Sequence, residues 1–270
     1  MDKIALTEEK ETLLIPLFGK ANENRKKHPI LVDKKAVEIV NQIDYNFKSL
    51  KIPEKTNTMM CLRAKLIDNF VKDFLSNNYE NTALHLGCGL DSRYNRIKNN
   101  NVDWYDVDFK DVIDIRRHFY KESHNYHLIA SSVTEHEWLE KIPAGKKHYI
   151  VIAEGLLMYL KENEIKTLLT DIKNRIGSYT LIFDAFNTYT AKKVKNQPSI
   201  KKTGAAIHWG IDDPKELTSW GAGIRFIEEQ YFTSNDEVKN LDSLTRTMYK
   251  LANLFPMAKK AHRLLIYRIN

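Results

Sequence analysis

The stretch Leu84-His-Leu-Gly-Cys-Gly-Leu-Asp-Ser-Arg93 decides how this chain folds. Asn81-Thr-Ala precedes it, so a short run suited to a buried strand ends abruptly on Gly87 and Gly89, and a helix can begin near Ser92. Glycine at such a junction tolerates positive φ and carries no Cβ, which lets a ligand approach the backbone where a strand of an open α/β sheet stops. Two carboxylates, Asp106 and Asp108, come roughly 20 residues later, where such sheets present an acidic side chain to ribose hydroxyls.

The third glycine of the dinucleotide fingerprint is missing, because Gly-Cys-Gly runs on into Leu-Asp-Ser-Arg. A pyrophosphate therefore has no obvious cradle. The pattern favours a nucleoside ligand without phosphates, S-adenosylmethionine being the commonest, over a chance glycine turn after a buried strand. Cys88 reads as a small side chain tolerated in a tight turn rather than as a nucleophile. Cys88 and Cys61 are the only cysteines, too few for a disulfide framework or a thiolate metal site, and no metal is expected.

Downstream of that turn the pattern alternates. Strands are expected at Thr82–Leu86, Asp103–Val107, Tyr126–Ala130, His148–Glu154 and Thr180–Ala185, with helices at Asp111–Lys121, Glu135–Lys141 and Glu162–Ile176. In the last helix Ile165, Leu168, Leu169 and Ile172 share one face, and Gly177 stops it. This is the rhythm of a parallel sheet wrapped by helices. It then breaks: residues 187–212 are polar and irregular, Pro214–Trp220 suits a short helix, Ile224–Phe232 a strand, Asp236–Leu254 a helix, and His262–Ile269 a final strand. Upstream, residues 1–80 read as helical throughout, from a capping-box-like Thr7-Glu-Glu-Lys10 to Met59–Leu75, whose Leu62, Leu66, Ile67, Phe70, Val71 and Phe74 recur at helical spacing. Arg63 lies one position from that stripe, either a surface arginine or a charge aimed at a ligand.

A chain of 270 residues suffices for one large α/β domain, and no Pro-, Gly- or Ser-rich linker divides it. The expected organisation is a helical cover over residues 1–80 and a ligand-binding domain over 81–270, together one structural unit. No apolar run approaches the roughly 20 residues needed to span a bilayer, and Met1-Asp-Lys3 has no signal-peptide shape, so a cytoplasmic location without membrane attachment is expected. The net charge of +7 is spread over Arg25-Lys-Lys27, Arg116-Arg117, Lys146-Lys147, Lys192-Lys193, Lys201-Lys202 and Lys259-Lys260. Scatter of that kind makes a solvated basic surface rather than a phosphate track, so nucleic acid is not the expected partner, although an anionic small molecule would profit from the field.

Six motifs stand in one order: Leu62-Arg-Ala-Lys65 with Asp68, Leu86 to Arg93, Tyr105-Asp-Val-Asp-Phe109, Ala130-Ser-Ser-Val133 with Trp138, Ala153-Glu-Gly-Leu-Leu-Met-Tyr-Leu160, and Trp209-Gly-Ile-Asp212. Together they resemble the leucine carboxyl methyltransferase family, including its bacterial branch of polyketide-type O-methyltransferases, over roughly residues 59–270. The resemblance implies a seven-stranded, Rossmann-like class I methyltransferase sheet with a lid inserted after the fifth strand. It further implies S-adenosylmethionine as cofactor and S-adenosylhomocysteine as product. Under it, the Gly87-Cys88-Gly89 turn meets the methionine part of the cofactor and Arg63 pairs with its carboxylate, for which a guanidinium fork is well shaped. Asp108 accepts from the ribose hydroxyls, with Asp106 a deeper rival, and Glu154 takes the amino group. Ser132 and Val133 flank the adenine where the family often has Asp-Leu, which leaves an uncharged and weaker acceptor.

Methyl transfer from a sulfonium is an in-line displacement in which positioning and exclusion of water supply much of the rate. A carboxylate acceptor is already ionised and needs no base, whereas a phenol profits from one. His208 in the irregular segment is the first candidate, with His148 and Tyr126 behind it. Trp209 either walls the substrate or anchors the lid, and Met158 and Tyr159 are packing residues. Residues 1–60 and 187–212 should jointly cover the cofactor. RNA or protein methylation on the same fold, or a non-catalytic cofactor-binding module, stand as alternatives to a small-molecule acceptor.

Overall fold

The computed structural model describes residues 4–5, 11–195, 206–221 and 223–270; the Thr7–Lys10 start and the Lys201-Lys202 pair lie outside them. The N-terminal part holds β1 (Ile4–Ala5), α1 (Glu11–Glu23), α2 (Lys34–Gln42), β2 (Ile43–Asp44) and α3 (Glu54–Asn77). Then follow β3 (Asn81–Leu86), α4 (Arg93–Ile97), β4 (Val102–Asp108), α5 (Lys110–Phe119), β5 (Tyr126–Ala130), α6 (Glu137–Glu140), β6 (His148–Ala153), α7 (Glu162–Ile176) and β7 (Tyr179–Phe186). The chain closes with α8 (Thr188–Lys195), β8 (Ile224–Tyr231), α9 (Ser243–Asn253), α10 (Pro256–Lys259) and β9 (His262–Ile269).

Seven strands form one sheet in the order β5-β4-β3-β6-β7-β9-β8, with β9 antiparallel to both of its neighbours and the other pairings parallel. Strand order runs outward in opposite directions from β3 and β6, which opens a crevice at their carboxyl ends, where open α/β sheets bind ligands. The central strands are buried on both faces, as parallel strands must be: every residue of β3 is buried, and Ile150, Val151 and Ile152 of β6 have no exposed surface. Each such side chain contributes roughly 1.5–3 kcal/mol of transfer free energy.

Alternation along the strands divides the core. Ala83, Trp104, Leu128, Ile150, Ile152, Ile182 and Ile266 pack with α1, α2, α3 and α5 on one face; Leu84, Val107, Ile129, Val151, Leu181 and Leu265 pack with α6 and α7 on the other. The N-terminal helices therefore share the sheet's own core. α7 shows why its sequence makes a helix. Ile165, Leu168, Leu169, Ile172 and Ile176 are its buried stripe, Glu164 accepts from the Lys161 N–H at 2.7 Å, Lys173 and Arg175 occupy the last turn, and Gly177 at φ +77° ends it.

The first 80 residues are not helical throughout, since Ile4–Ala5 pairs in parallel with Ile43–Asp44. Ile43 is β-branched and buried at the end of α2, and extending it seats its side chain in the core while freeing backbone groups for pairing. The expected Asp236–Leu254 helix is interrupted too: a short 3₁₀ turn at Asp236–Asn240 ends on buried Leu241, and Asp242 then caps α9 by accepting from the Thr245 N–H at 2.9 Å. Arg116 is buried and paired with Asp106, so it is no part of the solvated basic surface. Among the described residues no helix is long and apolar enough to cross a membrane.

Candidate functional site

β3 ends at Leu86, and Gly87 turns the chain at φ +61° while donating its N–H to Val107 O at 2.8 Å. A Cβ on Gly87 would stand 2.9 Å from Leu156 Cδ1, so the turn admits no side chain without movement there. Gly89, at φ +52°, donates to Asp108 Oδ2 at 2.7 Å, and its carbonyl accepts from Arg116 Nη1 at 2.8 Å. The turn is thus pinned from both sides before any ligand arrives. Cys88 points into the core, where burial pushes its thiol well up, which removes it as a nucleophile.

Asp108 stands at the tip of β4, half of its hydrogen-bonding capacity spent on Gly89 and on the Phe109 N–H at 2.8 Å. Burial raises its carboxyl, and those two N–H groups only partly offset the effect. Phe109 beside it is 60% exposed, an apolar surface next to the carboxylate that the sequence reading did not single out. Asp106 sits deeper, as expected, bound to Arg116, to His85 Nδ1 at 3.0 Å and to Trp104 Nε1 at 2.9 Å. It serves the core. Ser132 follows β5 with its hydroxyl 2.8 Å from Thr134 Oγ1, and Val133 is buried, its carbonyl accepting from Trp138 Nε1 at 3.3 Å.

The other side of the crevice is ionic. Arg63, from α3, donates Nε to Glu154 Oε1 and Nη1 to Asp184 Oδ2, both at 3.0 Å, and Nη2 has no hydrogen-bond partner among the described residues. Arg63 is therefore no surface arginine. Glu154 also receives Arg93, so it is no solvated helix-start carboxylate either; burial pushes its carboxyl up, but Arg93, Lys20 and Arg63 outweigh that and hold it well below the usual range. Arg93 in turn reaches Asp68 Oδ1 at 2.7 Å and donates Nη1 to His85 Nε2 at 3.1 Å. A continuous polar chain so runs beneath the glycine turn from Glu154 through Arg93, His85 and Asp106 to Arg116.

The base candidates fare unequally. Tyr126 is not brought to the crevice: it opens β5 at the far end of the strand, its hydroxyl lies 2.5 Å from Asp106 Oδ2 and 2.9 Å from Arg116 Nη2, and burial pushes that hydroxyl far up. His148 is likewise at the start of β6, edge-on to Tyr79. His208 is exposed, its backbone N–H bound to Met158 O at 2.9 Å and its ring without a hydrogen-bond partner among the described residues. Trp209 is buried against Phe183 and Trp220 and so anchors the inserted segment. Sequence reasoning missed Asp184 and His262, whose Nε2 lies 2.6 Å from Asp184 Oδ2. An aspartate interrupting the apolar strand Thr180-Leu-Ile-Phe-Asp was the available signal.

A model of the leucine carboxyl methyltransferase family matches residues 14–173. The chain belongs to that family. A tetracenomycin polyketide synthesis O-methyltransferase of Streptomyces glaucescens is 33% identical over 98% of this chain and 98% of its own. An S-adenosyl-L-methionine-dependent methyltransferase of Gibberella zeae is 30% identical over 85% of this chain and 84% of its own. A magnesium protoporphyrin IX methyltransferase of Synechocystis PCC 6803, solved with S-adenosylhomocysteine, shares the fold with TM-score 0.50 at 11% identity, covering 81% of this chain and 89% of that one. This leucine carboxyl methyltransferase family member is an S-adenosylmethionine-dependent methyltransferase with a class I sheet. The residues of its crevice fit that cofactor. Gly87 carries no side chain at the turn, Asp108 keeps acceptor capacity, and Arg63 and Glu154 offer one cationic and one anionic group 3.0 Å apart, the two charges that a zwitterionic amino-acid end pairs with.

Proposed function

We propose that this methyltransferase carries the methyl group of S-adenosylmethionine to an oxygen, a carboxylate or a phenolic hydroxyl, of a small-molecule acceptor. The observation that carries the reading is the placement of Arg63 and Glu154 on one side of the Gly87 turn and Asp108 on the other. In this arrangement Arg63 and Glu154 hold the two charges of the methionine end, Asp108 holds the ribose, and Ser132 and Val133 flank the adenine. The fixed positions of these groups orient the sulfonium for in-line attack, and the cofactor when bound supplies the electrophilic methyl.

The acceptor class has its own support. The connection from β8 to β9 lies at the carboxyl end of the sheet, tied there by Asn187 Nδ2 donating to Met257 O at 3.3 Å, and it exposes Leu244, Met248, Leu251, Leu254, Phe255 and Met257. Such a surface suits an apolar organic acceptor better than a polyanion. The relative named for tetracenomycin polyketide O-methylation agrees with it. RNA is the weaker reading, since Lys26, Lys146 and Lys147 are all paired with carboxylates rather than lined up as a free track.

Calorimetry with S-adenosylmethionine should give micromolar binding, about 8 kcal/mol, weakened about tenfold or more in Asp108→Ala and in Gly87→Val. Unchanged affinity in both variants removes this site. Transfer of labelled methyl to a panel of carboxylic acids and phenols should give products that are esters, cleaved by mild base, or base-stable ethers, and label appearing only in RNA or protein overturns the acceptor reading.

A further inference from the structure

Asp184 and His262 form a pair that the cofactor reading does not use. Asp184, on β7, is fully buried, and each of its oxygens is engaged: Oδ1 accepts from the Gly155 N–H at 2.5 Å, and Oδ2 faces both Arg63 Nη1 at 3.0 Å and His262 Nε2 at 2.6 Å. His262 opens β9 opposite Phe186, the last residue of β7, so its ring stands at the carboxyl end of the sheet beside the crevice. Phe186 and Phe232 flank the ring, with centroids 4.4 and 4.8 Å away, and fix its plane. Its other nitrogen, Nδ1, has no hydrogen-bond partner among the described residues, and the side chain as a whole keeps 16% exposure.

A carboxylate acting on one imidazole nitrogen fixes the tautomer and leaves the lone pair on the other, which is the arrangement of an oriented general base. We propose that His262, oriented by Asp184, takes the proton of a hydroxyl acceptor during methyl transfer; this rests on the reading that the acceptor is a small molecule methylated on oxygen. The balance closes. Nδ1 takes the hydroxyl proton, the oxygen lone pair forms the O–CH₃ bond, and the C–S pair stays on sulfur as a neutral thioether. The cationic imidazolium then loses its proton to solvent. The charged groups facing the ring are Asp184 from β7, Arg63 from α3 and Glu154 after β6, and burial, with Arg63, lowers the imidazole's pKa despite the two carboxylates, which favours the neutral ring that a base requires. His208, exposed and without a carboxylate partner among the described residues, lacks that orientation.

The test pairs 2-naphthol with 2-naphthoic acid as acceptors for the wild type, His262→Asn and His262→Gln, alongside calorimetric affinity for S-adenosylhomocysteine. The expected result is a loss of about 10²–10⁴-fold in kcat for the phenol, with transfer to the carboxylate and nucleoside affinity both within about threefold of wild type. The wild-type phenol rate should fall on acidification through an imidazole ionisation that both variants lack. Nitrogen-15 NMR of the wild type should show Nε2 protonated and Nδ1 bare at pH 7. Equal losses on both acceptors, a loss tracking nucleoside affinity, methylation of the acid but not the phenol, or a proton on Nδ1 would each overturn the role of His262. Absent nucleoside binding in the wild type is a separate failure, that of the cofactor site itself.

Discussion

Arg93 has no exposed surface, and its guanidinium reaches Asp68, Asp91, His85 and Glu154. A planar fork with five N–H groups can serve several acceptors at once; a lysine at this position would serve fewer and without the fixed angles. Because Arg93 is foremost among the charges that keep Glu154 ionised, removing it leaves a buried carboxylate with Arg63 as its remaining side-chain ion-pair partner. Breaking a buried pair from one side costs about 3–5 kcal/mol, so Arg93→Met should lower stability by that amount in urea unfolding and weaken S-adenosylmethionine binding as Glu154 loses the partner that fixes its position. A loss under about 1 kcal/mol would show that Asp68 and Glu154 find other partners. Gly87 behaves differently. At φ +61° an alanine costs roughly 1–2 kcal/mol, and the atom it meets is the flexible end of Leu156, so Gly87→Ala should fold and fail chiefly in binding.

At the scale of elements, α9 is a helix whose apolar stripe is not buried: Leu244, Met248 and Leu251 are 70%, 51% and 56% exposed, while Tyr249 faces α3 through Met59 Sδ at 3.0 Å. Replacing exposed side chains changes stability little, so Met248→Glu and Leu251→Glu should each stay within about 0.5 kcal/mol of wild type. Both should raise KM for naphthyl acceptors, and an unaltered KM in the double variant separates α9 from the acceptor. The contrast with α7 explains what a sequence discloses. In α7 the stripe, the charges at both ends and the closing glycine all agree with tertiary packing, and its bounds were legible residue by residue. Strands β3 to β7 were legible to within one residue at each end, as was the place of Asp108 at the tip of β4, because burial on both faces leaves a run of apolar residues and the glycine turn fixes the distance. The break at Leu241-Asp242 was hidden inside a continuous helical pattern, since only the three-dimensional fold demands that Leu241 be buried and Asp242 serve as a cap. Tyr126 misled for the same reason: its chemistry suits a base, but its place at the start of β5 commits its hydroxyl to Asp106. His262 stayed invisible because its partner, Asp184, lies 78 residues earlier and meets it only through the antiparallel pairing of β7 and β9.

For the molecule as a whole, these ionic groups make stability depend on acid. Burial opposes ionisation of Asp106, but Arg116 and His85 prevail and bring its carboxyl from 3.8 to about 2; Asp91, Glu154 and Asp184 are lowered as well. A carboxylate whose pKa is lower in the folded state stabilises that state at pH values above its unfolded pKa, and the contribution disappears as pH falls through the folded one. Asp106 alone contributes about 2 kcal/mol, fully present above roughly pH 5 and lost progressively toward pH 2. Asp108 has the opposite sign, because burial raises it: its ionisation costs stability as pH rises, and acid relieves that cost. With four groups lowered against this one, urea unfolding followed from pH 7 to pH 2 should show stability flat to about pH 5 and then falling steeply. Asp106→Asn should begin lower at neutral pH, since Arg116 loses its charge partner, and decline less between pH 4 and 2. Because the pairs are buried, raising salt to 0.5 M should shift the neutral-pH stability little, whereas a surface network would be screened. A stability that stays level down to pH 3, or that collapses with added salt at pH 7, would mean that the lattice under the glycine turn does not hold the fold together.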